Sequence, residues 1–106
     1  MTTVELMELL DGMRIRLGDE YMLHELASSL STGELKEILN YIAKNNYLSP
    51  PLRGTIGVAD SLEEMSLALG DRYMLYELYN YLSTDELEEH LKNIADHHDL
   101  SNLYAS

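Results

Sequence analysis

The chain has 106 residues, a length that favours a single domain, and 45% of them are hydrophobic, as in ordinary globular proteins. Nineteen Asp and Glu residues against seven Lys and Arg residues give a formal net charge of −12 at pH 7, so the chain lacks the basic footprint of a protein that binds phosphate backbones or anionic membranes. The absence of cysteine excludes disulfides, thiol catalysis and thiolate metal sites.

The chain contains an internal repeat with an offset of 52 residues. Residues 17–48 match residues 69–100 without a gap, and 18 of the 32 aligned pairs are identical. We therefore expect residues 1–48 to form a first helical repeat and residues 55–106 a second, joined by the Pro-rich connector 49–54. Alternating runs of β-branched residues are absent, so the prediction is an all-α fold: six short helices, as two tandem three-helix repeats, forming one compact globule.

The first helix of the first copy is predicted over Thr3–Leu17, where apolar residues follow the spacing of an amphipathic helix. In the second copy, the segment SLEE at 61–64 has the pattern of a capping box. The corresponding helix is therefore predicted to begin later, near Leu62.

A Leu-Gly-Asp motif, at residues 17–19 and again at 69–71, predicts a stop and an immediate restart of the helix. Its glycine is expected to end the first helix in a left-handed conformation, and its aspartate to cap the second. Ser31 and Ser83 each precede a glutamate by three residues, which predicts capped third helices. The predicted buried residues of the second and third helices are Met22, Leu23, Leu26, Leu30, Leu35, Ile38, Leu39, Ile42, Met74, Leu75, Leu78, Leu82, Leu87, Leu91 and Ile94.

The four histidines are the candidate bases and metal ligands in this chain. His97 and His98 lie in the segment Asp96–Asp99, but adjacent residues on a helix point about 100° apart and do not easily face one ion. Glu86 and His90 are spaced i, i+4 without a zinc-protease motif, and no phosphate loop or Ser/His/Asp signature is present. We therefore expect no enzymatic activity, no metal and no cofactor.

The second copy has gained three tyrosines, Tyr76, Tyr79 and Tyr81, where the first copy has His, Ala and Ser. Tyrosine is frequent in interfaces, and at positions where one end of the side chain is buried and the other is wet. A helical wheel places Tyr76 opposite the core, so a partner surface is favoured for it. Tyr79 and Tyr81 flank the core, so the seam between the copies is favoured and a partner surface is the alternative.

Negative charge is concentrated in the second half: from residue 53 on, eleven acids and three bases give −8, whereas in the first half eight acids and four bases give −4. Acids at the start of a helix are stabilising and aid solubility, so a solvated face is one interpretation of the acids at 85–89. A surface that attracts a basic partner is the other. The candidate partner-binding residues are Tyr76, Asp85, Glu88 and Glu89.

The segments LGD at 69–71 and LSTDEL at 82–87, with the apolar residues that follow them, resemble small acidic helical proteins encoded by bacteriophages and prophages. The resemblance covers about one copy, and hence both halves of the chain. Such proteins include inhibitors of restriction enzymes and of CRISPR effectors, some of which imitate the charge of DNA. The resemblance therefore implies a place in the host cell cytoplasm.

These features predict a non-catalytic acidic protein-binding module that binds the basic surface of a protein and not nucleic acid directly. Its concrete form is a phage or mobile-element inhibitor of a host nucleic-acid-binding defence protein, of the anti-CRISPR or anti-restriction type. The alternative is a phage structural or regulatory adaptor that acts as a pseudo-dimeric scaffold. No apolar run approaches the length of about 18 residues that a membrane span needs, so a cytoplasmic protein is expected, as a monomer or a homo-oligomer.

Overall fold

The computed structural model describes residues 1–47 and 57–104. These residues form helices and no strand, which confirms the predicted all-α fold of six helices in one globule, with dimensions of 45 × 22 × 21 Å. The predicted connector 49–54 lies outside the described residues. The helices are α1 (Thr3–Leu17), α2 (Asp19–Ser28), α3 (Thr32–Asn45), α4 (Val58–Leu69), α5 (Asp71–Tyr81) and α6 (Thr84–His97), followed by a 3-10 turn at Ser101–Leu103.

Helices from the two copies pack against each other across the middle of the molecule. The pair α2–α5 forms the centre, α1 packs on α2 and α6, and α4 packs on α5 and α3. The first helix of each copy thus makes more extensive contact with the third helix of the other copy than with its own. Exchanging each helix for its repeat counterpart reproduces the same set of pairs, which is the pattern that a pseudo-twofold axis between α2 and α5 produces.

Reciprocal side-chain contacts follow the same pattern. The Tyr21 hydroxyl on α2 lies 3.2 Å from Nε2 of His98, and the Tyr73 hydroxyl on α5 donates to Oδ1 of Asn46 at 3.0 Å. Tyr21 matches Tyr73 in the repeat, and Asn46 matches His98. Each copy therefore ties its second helix to the end of the other copy's third helix. Superposition of the two copies over residues 17–48 and 69–100 stays a prediction.

The core is formed by the apolar faces of all six helices. Every predicted buried residue of the second and third helices is buried, because the helical spacing of apolar side chains fixes which face turns inward. Tyr79 is only 6% exposed, and its hydroxyl donates to the backbone oxygen of Thr3 on α1 at 3.2 Å. Tyr79 therefore lies in the seam between the copies, as favoured from the sequence.

Gly18 and Gly70 separate the first and second helices of each copy, as predicted. Gly18 has φ 94° and ψ 152°, and Gly70 has φ 95° and ψ 147°. Only glycine adopts this region readily. The backbone there is extended, so the predicted left-handed helical conformation is wrong. The predicted capping by the next residue is wrong. Asp19 and Asp71 are the first residues of α2 and α5, and neither helix has a side-chain cap. The Gly18 carbonyl accepts the first backbone bond, so the Asp19 carboxylate is left for other partners.

Helix α4 begins at Val58 and not near Leu62, so the predicted start is wrong. Gly57 precedes the helix in an extended conformation, and its carbonyl accepts a bond from the Ser61 backbone nitrogen at 3.0 Å. Ser61 is 0% exposed and lies inside the helix, where it does not cap it. The helix has one more turn than predicted, and this turn places Val58 next to Leu62 and against the core. Burial of Val58 stabilises the longer helix more than a cap at Ser61 would stabilise the shorter one.

Ser31 and Ser83 cap α3 and α6, as predicted. Each hydroxyl oxygen accepts a bond at 3.2 Å from the backbone nitrogen of the glutamate three residues later, Glu34 or Glu86. Each hydroxyl also donates to the side chain of that glutamate at 3.0 Å. The glutamate thus bonds the serine hydroxyl in place of the serine backbone N–H of a full capping box.

Replacing Ser31 or Ser83 with alanine is expected to lower the free energy of unfolding by about 1 kcal/mol, because one helix N–H group loses its acceptor. Urea denaturation followed by circular dichroism measures the change. Thr32→Ala is the control, since Thr32 is exposed and follows the cap; its effect should stay within about 0.5 kcal/mol. Equal losses at Ser31 and Thr32 would contradict the assigned cap.

Candidate functional site

Tyr76 lies half-buried between α5 and α1. Its hydroxyl donates to Oδ1 of Asp11 at 2.5 Å, and this bond, together with burial, raises the pKa of Tyr76. Nε of Arg14 lies 3.6 Å from the same Asp11 oxygen, and Arg14 also donates to Asp19 at 3.0 Å. The predicted placement opposite the core is wrong, because α1 of the first copy covers this side of α5. A role of Tyr76 in partner binding stays a prediction.

Glu88 is part of the contact between α6 and the start of α1. The amino group of Met1 lies 2.5 Å from Oε1 of Glu88, and Nζ of Lys92 lies 3.7 Å from Oε2. The hydrogen bond from the amino group lowers the pKa of Glu88. Glu88 therefore takes part in an internal contact that its replacement would disturb, and its role in partner binding stays a prediction.

Asp85 and Glu89 lie on the exposed surface of α6, where the sequence placed them. Among the residues that the structure describes, neither side chain forms an ion pair. Of the candidate acids, these two therefore have no cationic partner among the described residues and are available to attract a binding protein.

An open groove of about 200 Å³ lies between α3, the end of α5 and the start of α6. Tyr41 and Tyr81 stack there, with ring centroids 5.9 Å apart and an angle of 18° between the ring planes. They remain 50% and 37% exposed, whereas Ile38 and Leu82 beneath them are buried. We call this feature the tyrosine groove; its lining residues are Glu34, Glu37, Ile38, Tyr41, Tyr81, Leu82 and Glu86.

Both copies contribute to the tyrosine groove. On α3, Glu34, Ile38 and Tyr41 follow the i, i+4, i+7 spacing and share one face of the helix. Tyr81 is the last residue of α5, and the side-chain nitrogen of Asn45 on α3 donates to its hydroxyl at 2.8 Å. This bond holds Tyr81 beside α3 and keeps the two rings together.

Three carboxylates, of Glu34, Glu37 and Glu86, line the tyrosine groove. Among the described residues, none of them forms an ion pair with a Lys, Arg or His nitrogen within 4.0 Å. Within the described residues, the carboxylates of Glu34 and Glu86 accept bonds from the serines that cap their helices and have no cationic partner. The groove therefore combines negative charge with two partly exposed, stacked tyrosine rings.

The tyrosine groove was not predicted from the sequence, because its two rings come from different copies. For Tyr81 the sequence favours the seam, with a partner surface as the alternative, and Tyr41 is not singled out. Tyr81 accepts a bond from Asn45 of the other copy and is also 37% exposed, so both interpretations of Tyr81 stay open. A signal was present: in the repeat, Tyr41 matches Asn93 and Tyr81 matches Ser29, so neither of these two tyrosines has a counterpart in the other copy. Only the packing of α3 beside α5 shows that the two tyrosines meet.

His98 forms a contact between the copies. Nε2 of His98 lies 3.3 Å from a carboxylate oxygen of Glu25 and close to Tyr21, which joins the end of α6 to α2. Within residues 1–47 and 57–104, no group of three or more His, Asp or Glu side chains is arranged to hold a metal ion. In the same residues, none of the helices has the length and apolar character needed to cross a membrane.

The tyrosine groove has the chemistry to attract cationic side chains, since carboxylates attract them over distance and aromatic faces bind them at contact. Its free carboxylates and half-exposed rings distinguish it from the internal contacts of Tyr76 and Glu88. Comparisons of the chain with family models, curated proteins and solved structures found no match, so the function is inferred from the residues themselves.

Proposed function

We propose that this chain is a non-catalytic acidic protein-binding module, and that it binds the basic surface of another protein through the tyrosine groove. The observation that carries the proposal is the stacked pair Tyr41 and Tyr81, half exposed among three carboxylates that have no cationic partner among the described residues. The net charge of −12 supports fast association with a basic partner. Tyrosines that lose their water on binding would slow dissociation of the complex, since aromatic residues are frequent binding hot spots.

In its concrete form, the proposal is an inhibitor from a phage or a mobile element. Such a protein would cover the basic nucleic-acid-binding surface of a host defence protein and present carboxylates where phosphates normally lie. The resemblance to small acidic phage proteins and the negative charge support this form. The setting would be the host cell cytoplasm.

A second candidate, a structural or regulatory adaptor, is favoured by the reciprocal packing of the two copies. The first helix of each copy packs on the third helix of the other copy, so the two copies form related surfaces, as in a pseudo-dimeric scaffold. An adaptor of this kind would depend on both surfaces about equally, whereas the tyrosine groove is present on one side.

Glu37 and Glu89 provide a matched test of the two candidates. They occupy the same position in the repeat, both are exposed, and neither belongs to a cap. Glu37→Lys is expected to slow association with the partner by about tenfold at low salt, and to flatten its salt dependence, because it reverses a charge inside the groove. Glu89→Lys causes the same change in net charge outside the groove and is expected to have a smaller effect.

The measurement uses the protein that the full-length chain captures from a bacterial lysate, with association and dissociation rates recorded at low and at physiological salt. Glu63→Lys, at an exposed position of α4, is the control for net charge alone. Equal effects of Glu37→Lys and Glu89→Lys would favour the symmetric scaffold. Indifference of the association rate to all three changes would overturn the proposed electrostatic binding.

A further inference from the structure

We infer that the tyrosine groove takes an arginine side chain from a basic segment of the partner protein and selects arginine over lysine. The inference rests on the proposed function, because it assumes that this groove is the binding surface. It adds a chemical identity for the group that enters the groove, which charge alone does not provide.

The size of the groove restricts its occupant. At about 200 Å³, the groove lies below the roughly 300 Å³ at which pockets for drug-sized ligands begin. One large side chain of a partner fits such a volume better than a folded element or a cofactor does. The three carboxylates of its lining disfavour an acidic peptide or a phosphate group.

The chemistry of the lining distinguishes the two basic side chains. An arginine guanidinium is planar, stacks on aromatic faces, and donates two parallel hydrogen bonds to a carboxylate, whereas a lysine ammonium is a compact, strongly hydrated charge. Tyr41 and Tyr81 offer the aromatic faces, and Glu37 on the same side of α3 offers a free carboxylate. The carboxylates therefore attract both residue types, and the tyrosines favour arginine.

The repeat provides an internal control for this assignment. In the repeat, Glu34 aligns with Glu86 and Glu37 aligns with Glu89, so the carboxylates are present in both copies. The two tyrosines align with other residue types. Asn93 stands in place of Tyr41, and Ser29 in place of Tyr81. We call this site the mirrored position; its residues are Ser29, Glu34, Glu86, Glu89 and Asn93. It has the negative charge of the tyrosine groove and lacks its rings.

The test uses the full-length chain with two peptides of equal length and charge, one of alternating arginine and glycine and one of alternating lysine and glycine. Affinities are measured by fluorescence anisotropy at low salt, and the residues in contact by amide chemical shifts. The arginine peptide is expected to bind about two- to fivefold more tightly, because a weakly hydrated, planar guanidinium stacks on the rings better than a strongly hydrated ammonium does. The largest shifts are expected on α3 and at the end of α5.

Two double variants exchange the aromatic residues between the two positions. Tyr41→Asn with Tyr81→Ser introduces the residues that the chain already carries at the mirrored position, and it should reduce arginine binding to the level of lysine binding. Ser29→Tyr with Asn93→Tyr, added to the first double variant, should restore the preference for arginine, because the mirrored position shares Glu34 and Glu86 with the groove and then carries the rings. If the first double variant unfolds, Tyr41→Asn alone, which retains the bond between Asn45 and Tyr81, gives the same comparison.

The outcomes separate this inference from the proposed function. Equal binding of both peptides, lost on Glu37→Lys, would overturn the preference for arginine and retain an acidic binding module. A preference for arginine that survives the loss of both tyrosines would overturn the groove as its source. Absence of binding by either peptide at low salt would overturn both the inference and the proposed function.

Discussion

Replacing Leu26 or Leu78 with alanine is expected to lower the free energy of unfolding by about 2–5 kcal/mol, the largest effect of any single change considered. Both side chains are 0% exposed and lie on α2 and α5, the two helices that join the copies. Each alanine leaves a cavity that the surrounding side chains fill only in part. A domain of this size is stable by about 5–15 kcal/mol, so one such change removes a large part of its stability.

Because α2 and α5 pack against each other, the loss at either leucine should weaken both copies together. Urea unfolding followed by tyrosine fluorescence and by circular dichroism should give a single, coincident transition for the native chain and for both variants. Leu67→Ala is the control, since Leu67 is 87% exposed, and its effect should stay within about 0.5 kcal/mol. Two separate transitions would show that the copies fold as independent units.

The serine caps and the glycine breaks of this fold were predictable from the sequence because they depend on neighbouring residues alone. The caps at Ser31 and Ser83 and the breaks at Gly18 and Gly70 follow from short-range backbone chemistry. The buried faces of the helices follow from the spacing of apolar residues, which fixes the inward side of each helix but not its partner. Helix α4 departs from the prediction because Val58 gains contact with the core by extending the helix.

The candidate site was predictable only in its charge, because its shape depends on contacts between the copies. A helical wheel of α5 correctly indicates the side that faces α2, but it cannot show that α1 covers Tyr76 from another direction. Glu88 is drawn into the contact with Met1 for the same reason. The tyrosine groove joins Tyr41 of one copy to Tyr81 of the other, and no local pattern relates residues so far apart.

The two linking glycines give the second large expected effect. Gly18→Ala and Gly70→Ala should each lower the free energy of unfolding by about 1–3 kcal/mol. Their φ angles are 94° and 95°, a conformation that strains any residue with a Cβ atom. Because no atom lies within 4 Å of a Cβ built at either position, the loss should come from the backbone alone and not from a steric clash.

Gly33 makes this explanation testable by the same substitution. Gly33 lies in α3, also with no atom within 4 Å of a built Cβ, but in an ordinary helical conformation. Gly33→Ala should therefore raise the stability, by up to about 1 kcal/mol, because alanine loses less conformational freedom than glycine when it folds into a helix. Urea denaturation measures the free energy of unfolding of the three variants. The same glycine-to-alanine substitution should lower it at two positions and raise it at the third. A loss of stability at Gly33 as large as at Gly18 and Gly70 would show that tolerance to a methyl group, and not backbone conformation, decides the outcome at all three sites.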